Sequence, residues 1–247
     1  MLLADQFLGF EGPSGHVFEV VIQLGAILAV LVLYFGRLWR VLVGLPTDWG
    51  ARRFVTVVLI AFLPAAFLGA LLHSFIKSVL FSPLVVSIAL IVGGLAILWI
   101  ERHVPPAKHR EVEDFTAGLA FKIGLCQCLA LIPGVSRAGA TILGAMLLGV
   151  ERKAATEFSF FLAVPTMVGA SALDLVKARH ELTADGLSLI AVGFIVAFLS
   201  ALVVVRWLIG FVSRHGFQPF AWYRIAVGVV MLAFLALASG GVPAGAG

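Results

Sequence analysis

The sequence places one arginine inside a long apolar run, beside residues that suit the binding of an anion. Arg137 is the one charged residue between positions 125 and 148. An arginine within a bilayer costs at least about 2.5–3.5 kcal/mol on insertion scales, so it needs a compensating partner. Residues 133–141 surround it with two glycines, a proline and two hydroxyl groups. A guanidinium with convergent N–H and O–H donors fits a phosphate or a carboxylate, so the sequence predicts an anion site.

The composition shows in what kind of protein this site lies. Of the 247 residues, 62% are hydrophobic and 12% are charged, and the mean hydropathy is +1.12. Soluble domains carry about 25% charged residues. The basic residues lie at the ends of apolar segments, as orientation signals do, so we predict a bilayer partner and no nucleic acid partner. We expect one integral membrane domain over residues 1–247.

The apolar runs predict six membrane-spanning helices in an all-α fold, since each run is near the ~20 residues that a spanning helix needs. The predicted spans cover residues 17–35, 54–72, 84–100, 158–176, 187–207 and 220–238. Residues 118–149 are broken at Pro133 and Gly134 into halves too short to span. Irregular backbone is tolerated at membrane depth only where it is buried in protein or lines a cavity. We therefore predict a re-entrant helical hairpin that enters and leaves on the same side.

The positive-inside rule orients these spans. With residues 37–53 in the cytoplasm, the inner segments hold Arg37, Arg40, Arg52, Arg53, Arg102, Lys108, Arg110, Arg152, Lys153, Arg206 and Arg214. The outer segments hold Lys77, Lys177 and Arg179, while Lys122, Arg137 and Arg224 stay unassigned in or beside membrane segments. The excess of basic residues on the inner side becomes smaller if residues 118–149 are one full span. The charge count therefore favours the hairpin.

Weak internal matches predict a duplication. At an offset of 140 or 136 the matching pairs are Leu8 and Leu148, Glu11 and Glu151, Phe18 and Phe158, Phe75 and Phe211, and Pro83 and Pro219. We predict an incomplete repeat one over 1–104, a cytoplasmic loop over 101–117 and repeat two over 118–240. Three spans in each copy make the repeats inverted, and such folds bind ligands near the midplane. The counterpart of the hairpin would fall before residue 1, so we expect the first hairpin to be missing by truncation.

The motifs at these positions resemble bacterial undecaprenyl-diphosphate phosphatase of the bacitracin-resistance type. The matching strings are LGFEG at 8–12, FEVVIQLG at 18–25, QCLALIPGVSRAGAT at 127–141, and EFSF at 157–160 continuing to Pro165. The resemblance implies removal of one phosphate from a C55 isoprenyl diphosphate, for recycling of the cell-wall lipid carrier in the bacterial inner membrane. It also implies six spans with two re-entrant hairpins in inverted symmetry.

The sequence departs from the family at its start. Family members begin with a hairpin that carries paired glutamates and a Ser-Ser-Thr-Gly-His-like run, thought to supply the carboxylates, the nucleophile and a histidine. The printed sequence has no such run in the matching position. We therefore expect this chain to be nearly inactive as written, with only the anion-binding half of the site carried over.

The carried-over residues have proposed roles and competing interpretations. Arg137 and Ser136 are the predicted catalytic residues, and both, with Thr141, Gly134 and Gly139, are predicted to bind the substrate. Arg137 could instead form a structural ion pair with Glu157 or Glu19. The hydroxyls could be helix caps, and the glycines could serve close hairpin packing.

Glu19 and Glu157 are possible supporting carboxylates. They lie at the starts of apolar spans, where a helix dipole stabilises negative charge. The alternative is that they orient Arg137 or bind a cation. A divalent cation, Mg²⁺ or Ca²⁺, is expected to neutralise the diphosphate, and its identity stays open, as does formation of a homo-oligomer.

The competing functions are a lipid-phosphate transporter or flippase, since inverted repeats with broken helices are typical of transporters, and a remnant that binds without catalysis.

Overall fold

The protein is described by a computed structural model that covers residues 16–72, 75–76, 82–177 and 187–240. Within these residues it is helical, and the helices are numbered here in chain order. They are α1 His16–Leu33, α2 Phe35–Gly44, α3 Trp49–Leu71, α4 Pro83–His103, α5 Ala117–Gln127, α6 Arg137–Leu147, α7 Arg152–Lys177, α8 Leu187–His215 and α9 Gln218–Gly240. Two short 3₁₀ turns, Val112–Asp114 and Cys128–Leu131, complete the described elements.

The all-α polytopic architecture predicted from the sequence is confirmed. In the described part, α3, α4, α8 and α9 are long and apolar enough to cross a membrane, and the bent pair α1–α2 raises the number to five. The sixth predicted span is α7, which has 26 residues. Its length suffices to cross. It is an interior helix, with Thr156 and Ser159 among its buried polar residues.

Helix α2 was not predicted. The chain bends by 75° between Val21–Leu33 and Phe35–Gly44. Phe35, Trp39 and Leu42 lie on one exposed face of α2 at helical spacing, and the rings of Phe35 and Trp39 stack at 5.8 Å. Short amphipathic helices of this kind lie in the plane of the membrane interface. The sequence interpretation missed α2 because it treated the basic residues after position 36 as a loop.

The predicted hairpin is present, and both of its ends meet the same loop. Thr116 caps α5 by accepting a hydrogen bond from Leu119 N at 3.2 Å. At the other end, the Gly149 carbonyl accepts from Lys108 N at 2.8 Å, and Glu151 N donates to the His109 carbonyl at 2.8 Å. These backbone bonds hold the entry and the exit of the hairpin side by side, as a re-entrant segment requires.

Helix α7 forms the centre of the bundle. It packs against α1, α3, α6 and α8. Its residues Phe158, Phe161 and Leu162 are buried in the main apolar cluster, together with Ile123 of the hairpin and Phe115 of the loop before it. Helix α3 packs along α5, and α4 pairs with α9. The hairpin is therefore enclosed by α3, α4 and α7.

A buried carboxylate joins three elements at the end of α4. Glu101, whose side chain is 4% exposed, accepts hydrogen bonds from Arg152 Nη2 at 2.9 Å and from Phe217 N at 2.7 Å. Gly216 has φ +74°, and a Cβ there would lie 2.7 Å from a carboxylate oxygen of Glu101. The carboxylate thus fixes the starts of α7 and α9 against α4, on the same side of the bundle as the hairpin base.

Substituting Glu101 tests this junction. Glu101→Gln keeps the shape but removes the charge that Arg152 faces, so we expect the free energy of unfolding to fall by about 1–3 kcal/mol. The loss is measured as a lowered thermal unfolding midpoint in detergent. The matched control is Glu151→Gln, at an exposed carboxylate beside Arg152. Equal midpoints for Glu101→Gln and Glu151→Gln would contradict this assignment.

Candidate anion site at the hairpin tip

The hairpin tip is a tight turn that only a small residue can complete. Gly134 has φ +90°, a left-handed conformation that favours glycine. A Cβ at this position would lie 2.7 Å from the Val86 carbonyl oxygen and 3.0 Å from Ala89 Cβ, both on α4. The turn is closed by a hydrogen bond from Val135 N to the Ile132 carbonyl at 3.0 Å. Gly134 therefore lets the tip lie directly against α4.

The depth of the tip follows from its contacts. Val86 and Ala89 lie in the first two turns of α4, whereas the hairpin base lies near the opposite end of that helix, beyond His103. The hairpin thus reaches across most of the length of α4. The tip is placed well inside the bundle, on the half remote from its own base.

Helix α6 begins at this tip, and Ser136 is its N-cap. The Ser136 hydroxyl oxygen accepts a hydrogen bond from Gly139 N at 3.1 Å. A Cβ on Gly139 would lie 3.2 Å from Ser136 Cβ, so a small residue leaves room for this cap. The hydroxyl proton of Ser136 stays available to an acceptor. The amino end of α6 also carries the positive end of the helix dipole, which favours an anion.

The Arg137 side chain is directed at α7. Its Nη1 donates to the Ala163 carbonyl at 3.3 Å, and its Nη2 lies 3.1 Å from Met167 Sδ. Both partners are uncharged, and within the described residues no carboxylate forms an ion pair with Arg137. The charge of this half-buried guanidinium is therefore not neutralised by the surrounding protein that the structure describes.

Thr141 lies one turn after Arg137 and is buried. Its hydroxyl is within hydrogen-bond distance of the Arg137 carbonyl at 2.9 Å and of Gln127 Oε1 at 3.4 Å. Thr141 thus links α6 to α5 inside the hairpin. Its assignment as a phosphate donor stays a prediction. Gln127 is also buried, and its Nε2 has no hydrogen-bond partner among the described residues.

The proposed ion pair between Arg137 and Glu157 is wrong. Glu157 Oε2 accepts from Arg37 Nη1 at 3.3 Å. The reason is position along α7: Glu157 lies six residues before Ala163, about 9 Å along the helix axis. A role for Glu157 in cation binding stays a prediction. The side chain of Glu19 lies outside the described residues.

Arg37 forms a charged junction at the start of α7, which the sequence interpretation missed. It pairs with Glu113 at 2.5 Å as well as with Glu157, and its guanidinium lies over the rings of Phe54 and Phe161 at 5.4 and 4.9 Å. The junction borders an open cleft of about 790 Å³ beside α2 and the hairpin base. Its acidic and basic lining residues are Arg37, Arg40, Asp48, Arg110, Glu111, Glu113, Glu151, Lys153 and Glu157. The mixture of both signs distinguishes this cleft from the cationic tip.

The fold and the tip define the class: a polytopic α-helical membrane protein with a re-entrant hairpin whose tip carries a candidate anion site. The chain belongs to the bacitracin resistance protein BacA family, which matches residues 1–230. It is 58% identical over 231 residues to undecaprenyl-diphosphatase 2 of Paramagnetospirillum magneticum, covering 94% of this chain and 88% of that protein. It is 56% identical to the undecaprenyl-diphosphatase of Parvibaculum lavamentivorans, covering 97% and 89%, and 56% identical to undecaprenyl-diphosphatase 1 of Agrobacterium fabrum, covering 95% and 88%.

Gly134→Ala tests the geometry of the tip. The substitution forces a side chain into a left-handed conformation and against the α4 backbone, so we expect a loss of about 1–3 kcal/mol in the free energy of unfolding. Thermal unfolding in detergent measures it. The control is Gly118→Ala on α5, where a Cβ meets nothing within 4 Å. If Gly134→Ala were as stable as Gly118→Ala, the tip would not lie against α4 as described.

Proposed function

We propose that this protein hydrolyses undecaprenyl diphosphate to undecaprenyl phosphate and phosphate, in recycling of the cell-wall lipid carrier. That the chain as written is nearly inactive stays a prediction, which its rate of phosphate release tests. Membership of the BacA family and the names of the relatives support the reaction. The observation that carries the proposal is Arg137, a half-buried cation at the hairpin tip whose recorded partners are uncharged. We place the reaction in the bacterial inner membrane, where a multi-pass protein meets this lipid.

Arg137 binds the diphosphate in this proposal. A guanidinium holds phosphate oxygens by paired, charge-assisted hydrogen bonds. The acceptors that it now contacts, a carbonyl and a thioether, compete weakly with a phosphate for its N–H groups. As the bridging bond breaks, the same charge stabilises the negative charge that develops on the phosphate oxygens.

Ser136 and the start of α6 complete the anion-binding half. The hydroxyl proton of Ser136 donates to a phosphate oxygen while its oxygen continues to cap Gly139 N. The free N–H groups of the first turn of α6 add the partial positive charge of a helix amino end. Gly134 and Gly139 allow the diphosphate to approach the backbone closely. The C55 chain then lies in the bilayer, along the exposed apolar faces of the outer helices.

A divalent cation, Mg²⁺ or Ca²⁺, belongs to the proposal only as a counter-ion of the diphosphate. In the part of the chain that the structure describes, no three or more His, Cys, Asp or Glu side chains converge on a metal position. Glu157, the carboxylate predicted to support one, is engaged by Arg37. The identity of the ion and the residues that would hold it stay a prediction.

The lipid-phosphate transporter remains the competing function, and proteoliposomes separate the two. The reconstituted chain is given undecaprenyl diphosphate in one leaflet, and both phosphate release and lipid translocation are followed. Phosphate release supports the hydrolase. Translocation of intact lipid without phosphate release would replace it with the transporter.

Replacing Arg137 tests the anion site. We expect Arg137→Ala to reduce the rate of phosphate release from undecaprenyl diphosphate by about 10²–10³-fold, as loss of one stabilising donor typically does. Arg137→Lys keeps the charge without the paired N–H geometry, so its rate should be intermediate. The control is Arg40→Ala, at an exposed arginine of α2 that bonds only its own helix in the recorded contacts. Unchanged rates in Arg137→Ala would remove this residue from the site.

A further inference from the structure

A second membrane-embedded arginine lies behind the hairpin tip. Arg224 is the seventh residue of α9, inside a candidate membrane span of 20 residues. Its Nη2 donates to the Gly134 carbonyl at 3.0 Å and to the Ala89 carbonyl at 3.3 Å. No described carboxylate pairs with it. An arginine at this depth is costly to keep, so its placement against two carbonyls calls for a function.

The neighbouring helix is shaped to admit this guanidinium. A Cβ on Gly93 of α4 would collide with Arg224 Nη2 and lie 3.2 Å from Cζ. The next residue, Gly94, serves a different contact: a Cβ there would lie 2.8 Å from the Ala221 carbonyl oxygen and 2.6 Å from Ile225 Cγ1, on the α9 body. One glycine of the pair therefore accommodates Arg224, and the other allows α4 and α9 to pack closely.

The Gly134 carbonyl is the point where this contact acts on the site. Gly134 is held by its left-handed turn and by α4, and its carbonyl direction sets the peptide plane that leads into Val135 and Ser136. Helix α6 begins one residue later, with Arg137. Arg224 does not point to α7, where Arg137 finds its own partners. It acts from the opposite side of the turn.

We propose that Arg224 is a positioning residue that fixes the hairpin tip, and through it Ser136 and Arg137, for anion binding. The inference rests on the proposed function, because the diphosphate is the anion that those two residues would hold. Its physical basis is a charge-assisted hydrogen bond in a site remote from water, which is stronger than the same bond at a surface. Arg224 Nη2 donates to both the Gly134 carbonyl of the tip and the Ala89 carbonyl of α4, so it ties the tip to α4.

Hydrogen exchange measures the positioning directly and needs no activity. In Arg224→Met, which removes the N–H groups but keeps a long side chain, we expect amides 135–137 to exchange at least about tenfold faster. Amides in the middle of α3, to which Arg224 makes no hydrogen bond among the described residues, serve as the internal reference. Faster exchange spread evenly through α4 and α9, with the tip no more affected, would show a merely structural role and overturn the proposal.

Kinetics supply the second readout. We expect Arg224→Met to lower kcat/KM for undecaprenyl diphosphate about tenfold or more, and Arg224→Lys to recover part of it, since an ammonium keeps the charge and its N–H donors. A lowered amount of folded protein with unchanged kcat/KM per folded molecule contradicts positioning. If Arg224→Met does not fold, Arg224→Lys takes its place in both measurements.

Gly93→Ala displaces the Arg224 guanidinium without altering Arg224 itself, because the added Cβ would collide with Nη2. With Arg224 present, we expect this substitution to raise exchange at the tip; in the Arg224→Met background it should add nothing, because no guanidinium is left to displace. The matched control is Gly94→Ala, whose effect on stability should persist in both backgrounds. An effect of Gly93→Ala that is equal in both backgrounds overturns the proposal.

The two proposals fail separately. If the wild-type chain releases no phosphate but tip exchange still depends on Arg224, the proposed function is lost for this chain and the positioning stands. If the wild type hydrolyses the lipid and tip exchange is the same in Arg224→Met, the positioning is wrong and the proposed function stands.

Discussion

A helix broken within a membrane protein leaves backbone groups and charges without the partners that a continuous helix or water would supply, and this structure provides partners for several of them. At the tip, the Gly134 carbonyl accepts from Arg224, Gly139 N is capped by Ser136, and Arg137 donates to the Ala163 carbonyl. Each bond replaces one that the helix break removed or that solvent would have supplied. The helices around the hairpin therefore supply hydrogen-bond partners to the groups at its tip.

The arginines at the base of the hairpin and those at its tip have different kinds of partner. At the base, the cations Arg37 and Arg152 are paired with carboxylates, which hold the loop before α5 and the starts of α7 and α9 together. At the tip, the recorded partners of the cations are carbonyls and a thioether. A paired cation has its charge satisfied within the protein, whereas one held by neutral acceptors retains its attraction for an anion. The cations at the base are thus neutralised by carboxylates, whereas those at the tip are held by neutral acceptors among the described residues.

This contrast separates the part of the fold that holds the helices together from the part that would bind a lipid diphosphate. The neutral acceptors around Arg137 lower the cost of burying its charge without cancelling the charge itself. The rigid base holds the hairpin limbs, and Thr141 joins the limbs internally through Gln127. At the tip, a bound phosphate would neutralise the positive charge of Arg137. A family that acts on an amphiphile needs this division, since the headgroup must enter a protein interior while the tail stays in lipid.

The helical membrane class and the hairpin break at Pro133 and Gly134 were determined by the sequence itself, because hydropathy, glycine and proline act locally. The amphipathic helix α2 was missed, because it has only 10 residues and its arginines were taken for a polar loop. Three-dimensional packing alone decided the partners: Glu157 bonds to Arg37, Thr141 turns into the hairpin, and Arg224 reaches the Gly134 carbonyl. These contacts join residues as far as 120 positions apart. Local pattern carries no information on such pairs, because helix crossings and side-chain directions select them only once the bundle has assembled.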